Sequence, residues 1–382
     1  MARSERGFFG KLIVFILALL AFIGLIAMAL SVANPYLDPK QFIWTSFFGL
    51  AFWEIFAFNL LIFIALLLLW SRKAWITVLA LVVAIPGVRK SYSLGKPVNE
   101  LASFRVMSYN VHRFNHVDGK TDTESFAYQV INNVREQNPD VLCCQEFAAY
   151  EKGVSRSKCI ENFAQGAGFQ HIYYNRKSSF AGNVVFSKYP LTKVMSDTGL
   201  GKEITSGVLV AVDAGEKGRF YVSNLHLVSY NITDGEIDIL TNSTELRNQF
   251  DTVGMSVARK LKYAFEKRSE EMSEVLESVA QLDGPIIMCG DFNDTPLSYT
   301  YRQMQKAGFV DSFTKVGRGI KPTYAGKLPL MRIDYIWGND NVKPLNFKRI
   351  RYKASDHYPV VLDFKINNMG GYVGSPLQNT TI

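Results

Sequence analysis

Cysteine and charge are both scarce in this 382-residue chain, and each scarcity excludes a class of protein. Four cysteines are too few for the dense disulfide framework of a small secreted scaffold. Charged residues make up only 20% of the chain and aromatic residues as much as 13%. That balance excludes an intrinsically disordered chain, which would be rich in charge and poor in aromatics.

The net charge of +8 is unevenly placed along the chain. Residues 1–100 contain nine Lys/Arg and four Asp/Glu, so most of the excess lies in this segment. The remainder is nearly balanced and shows neither a basic stripe nor an aromatic stacking platform, which are the usual signs of nucleic-acid binding. The basic run that includes Arg259, Lys262 and Arg268 alternates with acids and predicts a solvated helix face.

Long apolar runs, in contrast, fill the first 90 positions. No charge lies between Leu12 and Leu37, and only Glu54 interrupts the run from Gln41 to Ser71. A bilayer core needs about 20 apolar residues in a helix. We therefore expect a membrane anchor over residues 1–95, with transmembrane helices at approximately 12–33, 46–70 and 74–88. The first run is too long for a cleaved signal peptide, whose apolar core is usually about 7–15 residues.

Charge placement leaves the topology of this anchor open between two and three spans. With three spans and the N-terminus inside, five Lys/Arg lie inside against four outside. With two spans and an interfacial third run, the count becomes eight against one and the domain that follows is cytoplasmic. The apolar content of Ala74–Val88 favours three spans, so we expect an integral membrane protein with its large domain outside the cytoplasm.

After the anchor, strand-like and helix-like segments alternate, which predicts one α/β domain over residues 101–366 and a flexible tail at 367–382. Phe104–Tyr109 and Val141–Gln145 have the pattern of buried strands, and Cys143, Cys144 and Cys289 are expected to be buried within strands. Thr123–Gln137 has helical spacing and is stopped by Asn138-Pro139. A long helix is expected over roughly Ser256–Gln281.

Polar residues recur where the predicted strands end, and a single such residue is more often a turn or cap than a catalyst. Six of these segments together point to a site: Ser108-Tyr109-Asn110, Gln145-Glu146, Asn224-Leu225-His226, Gly290-Asp291-Phe292-Asn293, Arg332-Ile333-Asp334 and Ser355-Asp356-His357. Oxygen ligands without a Cys or His pair favour a hard cation, Mg²⁺ or Mn²⁺, over zinc. Amides and imidazoles can bind phosphate oxygens, and a further carboxylate can take a proton from water. The set is suited to metal-assisted phosphoester hydrolysis.

These segments, in this order, resemble the endonuclease/exonuclease/phosphatase superfamily from about Phe104 to Lys365. The resemblance implies the DNase I-like fold, a four-layer α/β/β/α sandwich, here preceded by transmembrane helices. It implies metal-site roles for Asn110, Glu146 and Asp356. It implies catalytic roles for five further residues: His226 at the scissile phosphate, Asp291 on the attacking water, Asn293 beside it, and Asp334 supporting His357.

The function implied is a membrane-anchored, divalent-metal-dependent phosphoester hydrolase, most simply a phosphodiesterase, in contact with the lipid bilayer through its anchor. A nuclease acting on extracellular or envelope nucleic acid, and a non-catalytic membrane module with the same fold, remain alternatives. The chain lacks the signature of the inositol 5-phosphatases, having Pro329-Leu330-Met331-Arg332 at that place. No protein partner is implied. Substrate identity, oligomeric state and the role of residues 228–261, a region with the character of a lid, stay open.

Overall fold

The computed structural model describes residues 7–115, 122–175, 181–194, 206–241, 247–326, 330–352 and 354–367. The tail expected after residue 367 lies outside these ranges. The helices are α1 Phe8–Ala33, α2 Ile43–Leu50, α3 Phe52–Leu68, α4 Ala74–Val83, α5 Ile85–Ser91, α6 Thr123–Gln137, α7 Arg156–Ala167, α8 Asp234–Thr241, α9 Arg247–Val279, α10 Tyr299–Lys306 and α11 Ser312–Val316. The strands are β1 Tyr92–Leu94, β2 Phe104–Asn110, β3 Val141–Ala148, β4 His171–Tyr174, β5 Ala181–Ser187, β6 Leu191–Lys193, β7 Gly207–Asp213, β8 Arg219–His226, β9 Ile286–Asp291, β10 Val310–Asp311, β11 Arg318–Ile320, β12 Asp334–Gly338, β13 Val342–Arg349 and β14 Val360–Ile366.

The N-terminal apolar runs fold into helices, and α1 is the longest of them. Within the described ranges, α1 continued to Tyr36 is the one helix that is long and apolar enough to cross a membrane. The pair α2 and α3 is bent by 65° and the pair α4 and α5 by 44°, and counting each bent pair as one span gives up to three. The bend at Ala51 and the break at Ala84 interrupt the two later runs, which sequence hydropathy shows as continuous.

Two sheets face each other in the large domain. Across the described residues, one six-stranded sheet has the order β13-β14-β2-β3-β5-β4 and the other the order β10-β12-β9-β8-β7-β6. Apolar side chains from both sheets, such as Cys143, Val210 and Cys289, fill the space between them. Helices α6 and α7 cover the outer face of the first sheet, and α9 and α10 cover that of the second. The four-layer sandwich expected from the sequence is confirmed, as is the burial of Cys143, Cys144 and Cys289.

Local signals explain which element boundaries the sequence predicts well. Helix α6 has the predicted bounds because Asp122 caps its start and Asn138, in the left-handed region at φ +48°, ends it. Helix α9 begins at Arg247, nine residues before the predicted start at Ser256, because Gly254 and Asn248 weaken the helical pattern there. Strand β12 begins at Asp334, where Thr323 Oγ1 accepts from the backbone N–H groups of Ile333 and Asp334.

Strand register places the ends of four strands at one edge. Strands β2 and β3 run parallel, with Asn110 opposite Gln145, and β8 and β9 run parallel, with His226 opposite Asp291. Strand β12 runs antiparallel to β9, and its first residue, Asp334, is opposite Asp291. Because parallel strands end at the same edge of a sheet, this register gathers polar side chains from both sheets in one place.

The apolar N-terminal helices are packed against this same edge. The Asn34 side chain donates to the Leu297 carbonyl at 2.7 Å, and the rings of Phe47 and Phe265 meet edge to face at 5.6 Å between centroids. Strand β1, which follows α5, pairs with β11 of the large domain. The first 95 residues are therefore joined to the large domain by packing as well as by the chain.

Candidate active site

The first sheet contributes Asn110 and Glu146 from neighbouring parallel strands. Glu146 lies at a bulge in β3, where the register with β5 shifts between Cys144 and Phe147, and its φ is +53°. A bulge turns a side chain out of the alternating pattern. The Glu146 carboxylate consequently points to the edge of the sheet, where the Asn110 Nδ2 lies 3.5 Å from Oε1.

The second sheet contributes His226, Asp291 and Asp334 from three adjacent strands in one row. The segment before β14 supplies the remaining residues, because β14 pairs antiparallel with β2 and so begins beside the end of β2. Ser355 fixes this segment by donating from its hydroxyl to the Asn110 carbonyl at 2.7 Å. His357 follows two residues later and faces the row of the second sheet.

Asp291 is the centre of the resulting cluster and is almost fully buried. Its Oδ2 accepts from Asn110 Nδ2 at 3.0 Å, and the Nε2 atoms of His357 and His226 lie 3.6 Å and 3.8 Å away. Asp334 Oδ2 is 2.9 Å from His357 Nδ1, which fixes the ring with its Nε2 toward Asp291. Site residues predicted from the sequence, contributed by both sheets, thus lie around the Asp291 carboxylate.

Charges set the protonation of this cluster. Burial raises the pKa of Asp291 to about 6, although His357 opposes the shift. Burial alone would lower the pKa of His357, but the carboxylates of Asp334 and Asp291 hold it well above its usual range. Near neutral pH, Asp291 is therefore an ionised carboxylate close to its titration point, which is the range in which a general base is most effective.

Glu146 has the opposite environment and stays ionised. Burial acts to raise its pKa, yet His226, His112 and Arg113 together bring the pKa below its ordinary value. His226 Nε2 lies 3.7 Å from Glu146 Oε1 and is buried with no hydrogen-bond partner within the described ranges. This nitrogen is aimed between two carboxylates, where an oxygen of a bound group would satisfy it.

Asp356, the third predicted metal-site residue, contacts the turn that follows Asn110. Its Oδ1 lies 3.4 Å from His112 Nδ1, and Arg113 Nε lies 3.3 Å from Glu146 Oε2. Neither His112 nor Arg113 is among the site residues predicted from the sequence. They follow Asn110 by two and three positions, in a turn whose residues have positive φ.

Asn293 is close to Asp291 but has structural partners. Its backbone N–H donates to Asp291 Oδ1 at 2.8 Å, and its side-chain Nδ2 donates to the Leu227 carbonyl at 2.9 Å. Arg268 of α9 donates to the Asn293 carbonyl. The prediction that Arg268 belongs to a solvated helix face is wrong, because its side chain is fully buried beneath this turn.

A hydrogen-bonded seam behind the site joins the two sheets. Gln145 Nε2 donates to Asn224 Oδ1 at 2.7 Å, and Asn224 Nδ2 donates to the carbonyls of Cys144 and Val184. Asn183 of β5 donates to the Asn224 carbonyl at 3.2 Å. Gln145 and Asn224 fix Glu146 on β3 relative to His226 on β8, because Gln145 is next to Glu146 and Asn224 is two residues before His226.

Comparisons with known proteins add a family to this geometry. A model described as the endonuclease/exonuclease/phosphatase family matches residues 107–357, and one described as a domain of unknown function (DUF8431) matches residues 11–91. No curated protein matches the chain closely enough to count as a relative.

Similar solved structures share low sequence identity with the chain. An endonuclease/exonuclease/phosphatase from Beutenbergia cavernae is 19% identical, with 69% of this chain and 72% of that chain covered at a TM-score of 0.46. The human Nocturnin catalytic domain with bound sulfate is 17% identical, with 72% and 96% covered at 0.45. An AP endonuclease from Archaeoglobus fulgidus is 17% identical, with 69% and 100% covered at 0.45.

Proposed function

The chain belongs to the endonuclease/exonuclease/phosphatase family, a superfamily of phosphoester hydrolases, and we propose that it is a membrane-anchored, divalent-metal-dependent phosphodiesterase. One observation carries the proposal: the Asn110 amide and the imidazoles of His226 and His357, which come from both sheets, lie within 4 Å of the Asp291 carboxylate. His226 Nε2 is buried between Glu146 and Asp291 without a hydrogen-bond partner within the described ranges, so it is available to an oxygen of a bound phosphate.

The donor set fits a hard cation. Glu146 stays ionised and reaches the edge of the sheet, where Asn110 Nδ2 lies 3.5 Å from its Oε1. Carboxylate oxygens of Asp291 and Asp334 and a ring nitrogen of His357 lie within 4.8 Å of one another, a spacing that suits a metal ion. Carboxylate and amide oxygens suit Mg²⁺ or Mn²⁺ better than zinc, and no cysteine lies among these residues. We assign Glu146 as the principal ligand, with Asn110 and Asp356 beside it. When bound, the cation would polarise a phosphoryl oxygen and offset its charge.

The other residues divide the chemistry among themselves. Asp291, with a pKa of about 6, takes the proton of the attacking water. His357 is held protonated by Asp334, and its Nε2 can donate to a phosphate oxygen. His226 Nε2 supplies a second donor on the same side of the cluster. Asn293 positions Asp291 through its backbone N–H, while its side chain fixes the turn to Leu227.

The anchor completes the proposal. We assign residues 1–95 to a membrane anchor of three spans and residues 101–366 to a catalytic domain outside the cytoplasm. The support is one helix that passes the length and apolarity test and two bent pairs that pass it when each counts as one span. Packing of the anchor against the strand-end edge supports a site close to the bilayer surface.

Paired substitutions test this division of roles in full-length protein purified in detergent. Hydrolysis of bis(p-nitrophenyl) phosphate is measured with Mn²⁺ and after chelation with EDTA, which should abolish it. Asp291→Asn keeps the shape but removes the base, so the rate should fall by about 10²–10⁴-fold while metal still raises the melting temperature. Glu146→Gln should instead weaken metal binding, and excess Mn²⁺ should restore part of the rate.

Asp283→Asn is the matched control, since Asp283 is exposed in the turn at the other end of the same strand. Its rate and metal response should equal those of the parent protein. Full activity after chelation and dialysis would overturn the metal requirement. Loss of the metal-induced stabilisation in Asp291→Asn, with its retention in Glu146→Gln, would reverse the assigned roles. Absence of any hydrolysis in the parent protein with either metal would favour the non-catalytic alternative.

A further inference from the structure

A cavity of about 240 Å³ lies where the anchor meets the catalytic domain. On the anchor side its wall is the bend between α2 and α3, including Leu50 and Trp53. On the other side its wall includes Pro296, Leu297 and Met331 of the catalytic domain. The lining is predominantly apolar, and the cavity is larger than the roughly 150 Å³ apolar cavity that holds a benzene molecule in another protein.

Two chain segments lead from this cavity to the catalytic cluster. Thr295 lines the cavity and is two residues after Asn293, while Arg332 lines it and is two residues before Asp334. Since consecutive Cα atoms are about 3.8 Å apart, each wall begins within about 8 Å of a residue of the cluster. The cavity is therefore close enough to the cluster for the apolar substituent of a substrate to reach it while the phosphate lies at the cluster.

The walls also indicate the source of that substituent. Helices α2 and α3 form a bent pair that is apolar enough to cross a membrane. The cavity is at their bend, next to the large domain, and so lies at the level where a membrane-embedded chain would emerge. Of the described residues that line the cavity, two are charged, Arg332 and Glu54. Arg332 is paired with Asp311 at 2.8 Å and Glu54 is itself acidic, so the described wall has no free cation for an anionic group and its apolar part favours an uncharged chain.

We propose that this cavity takes an acyl chain of a bilayer lipid and that the lipid's phosphodiester is the substrate, an inference that rests on the proposed function. In the reaction, the oxygen of water bonds to phosphorus and the bond from phosphorus to one ester oxygen breaks. The water proton passes to Asp291, and the departing alkoxide takes up a proton as the alcohol. The products are an alcohol and a phosphomonoester, one of which carries the acyl chain.

The experiment compares two chromogenic diesters that differ only in chain length, p-nitrophenyl methyl phosphate and p-nitrophenyl octyl phosphate. Both are used with Mn²⁺ and full-length protein in one detergent, with the octyl ester below its critical micelle concentration. Burying one methylene group is equivalent to about fourfold in binding, so two buried groups raise kcat/KM for the octyl ester at least about tenfold over the methyl ester.

Two substitutions fill the cavity from opposite walls, Ala51→Trp from the anchor and Leu330→Trp from the catalytic domain. Each should bring the octyl-to-methyl ratio close to one while leaving the methyl ester's kcat/KM within about twofold, since neither residue touches the cluster. Ala57→Trp is the matched control, because Ala57 is exposed on α3 away from the cavity. This control should keep the parent ratio.

Labelling with an octyl phosphate that carries a diazirine at its chain end gives a second readout. Adducts within residues 47–54 or 295–297 that disappear in Ala51→Trp support the cavity as the chain site. A parent ratio near one, an unchanged ratio in both filled variants, or labels confined to other helices would overturn it. If neither ester is hydrolysed, the proposed function fails, and labelling alone then decides whether the cavity binds an acyl chain.

Discussion

Substitution of Arg268 gives the sharpest test of how the turn at Asn293, next to Asp291, is stabilised. This side chain of α9 is completely buried, and its partners come from three directions. Its guanidinium lies 3.8 Å from the Asp294 carboxylate, donates to the carbonyls of Ala264 and Asn293, and stacks 4.1 Å over the Tyr230 ring. Replacing Arg268 with Met keeps an apolar side chain of similar length and removes all of these contacts of the guanidinium.

The expected cost follows from what is left behind. Asp294 has a side chain only 7% exposed, and burial already raises its pKa despite the opposing charge of Arg268. Removing one partner of a buried ion pair typically costs about 3–5 kcal/mol, because the remaining charge is uncompensated. For a domain of this size, about 1 kcal/mol shifts Tm by about 2–4 °C, so Arg268→Met should lower Tm by about 10 °C.

Thermal melts of the full-length protein in detergent measure this loss. The double variant Arg268→Met/Asp294→Asn should recover a large part of it, since the uncompensated charge is gone and a double-mutant comparison isolates the pair. Lys262→Met is the control on the same helix. Lys262 is 56% exposed and its ion pair with Glu266 spans 3.8 Å, so its loss should cost under about 1 kcal/mol.

The loss should also depend on pH. Asp294 has a folded pKa above its unfolded value, so the folded state binds more protons between the two values and stability falls as pH rises through that window. Without Arg268 the folded pKa of Asp294 rises further. The difference in Tm between the parent and Arg268→Met should therefore be smaller at about pH 5 than at about pH 8. A loss equal to that of Lys262→Met, or one that grows toward low pH, would refute the buried-pair reasoning.

Two further outcomes are expected. Alkaline phosphatase fused after Lys365 should be active, and a fluorescent protein fused there should be dark, because three spans put the domain outside the cytoplasm. The reverse result would support the two-span topology that the positive charges favour. Gln145→Leu should lower Tm by several degrees, because Asn224 Oδ1 and Ser108 Oγ lose their donor in a buried seam and each unsatisfied group costs about 1–3 kcal/mol. An unchanged Tm would show that the seam is not needed to join the sheets.

The fold and most of the cluster could be predicted because each rests on a local signal. A buried strand followed at once by a carboxylate, amide or imidazole is visible in the sequence, as in Ile286–Asp291 and Phe104–Asn110. The register of parallel strands then determines that such ends meet, as the alignment of His226 with Asp291 shows. The catalytic and metal roles assigned to these residues remain predictions until the substitutions above are measured.

Arg268 and His112 could not be predicted because their surroundings come from distant parts of the chain. Arg268 lies in a run of alternating charges, and only the approach of the turn at Asn293 and of Tyr230 buries it. His112 Nδ1 lies 3.4 Å from Oδ1 of Asp356, a residue more than 240 positions later in the chain. Composition and spacing reveal neither contact, since each joins segments that are distant in the chain: α9 with the turn after β9, and the turn after β2 with the segment before β14.

The N-terminal segment, residues 1–95, contributes to the packing around the proposed active site. Hydropathy alone predicts that residues 1–95 pack only against lipid. In the structure, however, an apolar cluster joins α2 to the large domain, and its members include Ile43, Phe47, Leu50, Tyr230 and Phe265. The region 228–261, which has the character of a lid in sequence, contributes Tyr230, Ile232 and Leu261 to that cluster. Because Tyr230 also stacks on Arg268, and Arg268 holds the Asn293 carbonyl, a continuous set of contacts runs from α2 to the turn that positions Asp291. The position of Asp291, the proposed general base, therefore depends on the packing of a helix that hydropathy alone assigns to the membrane.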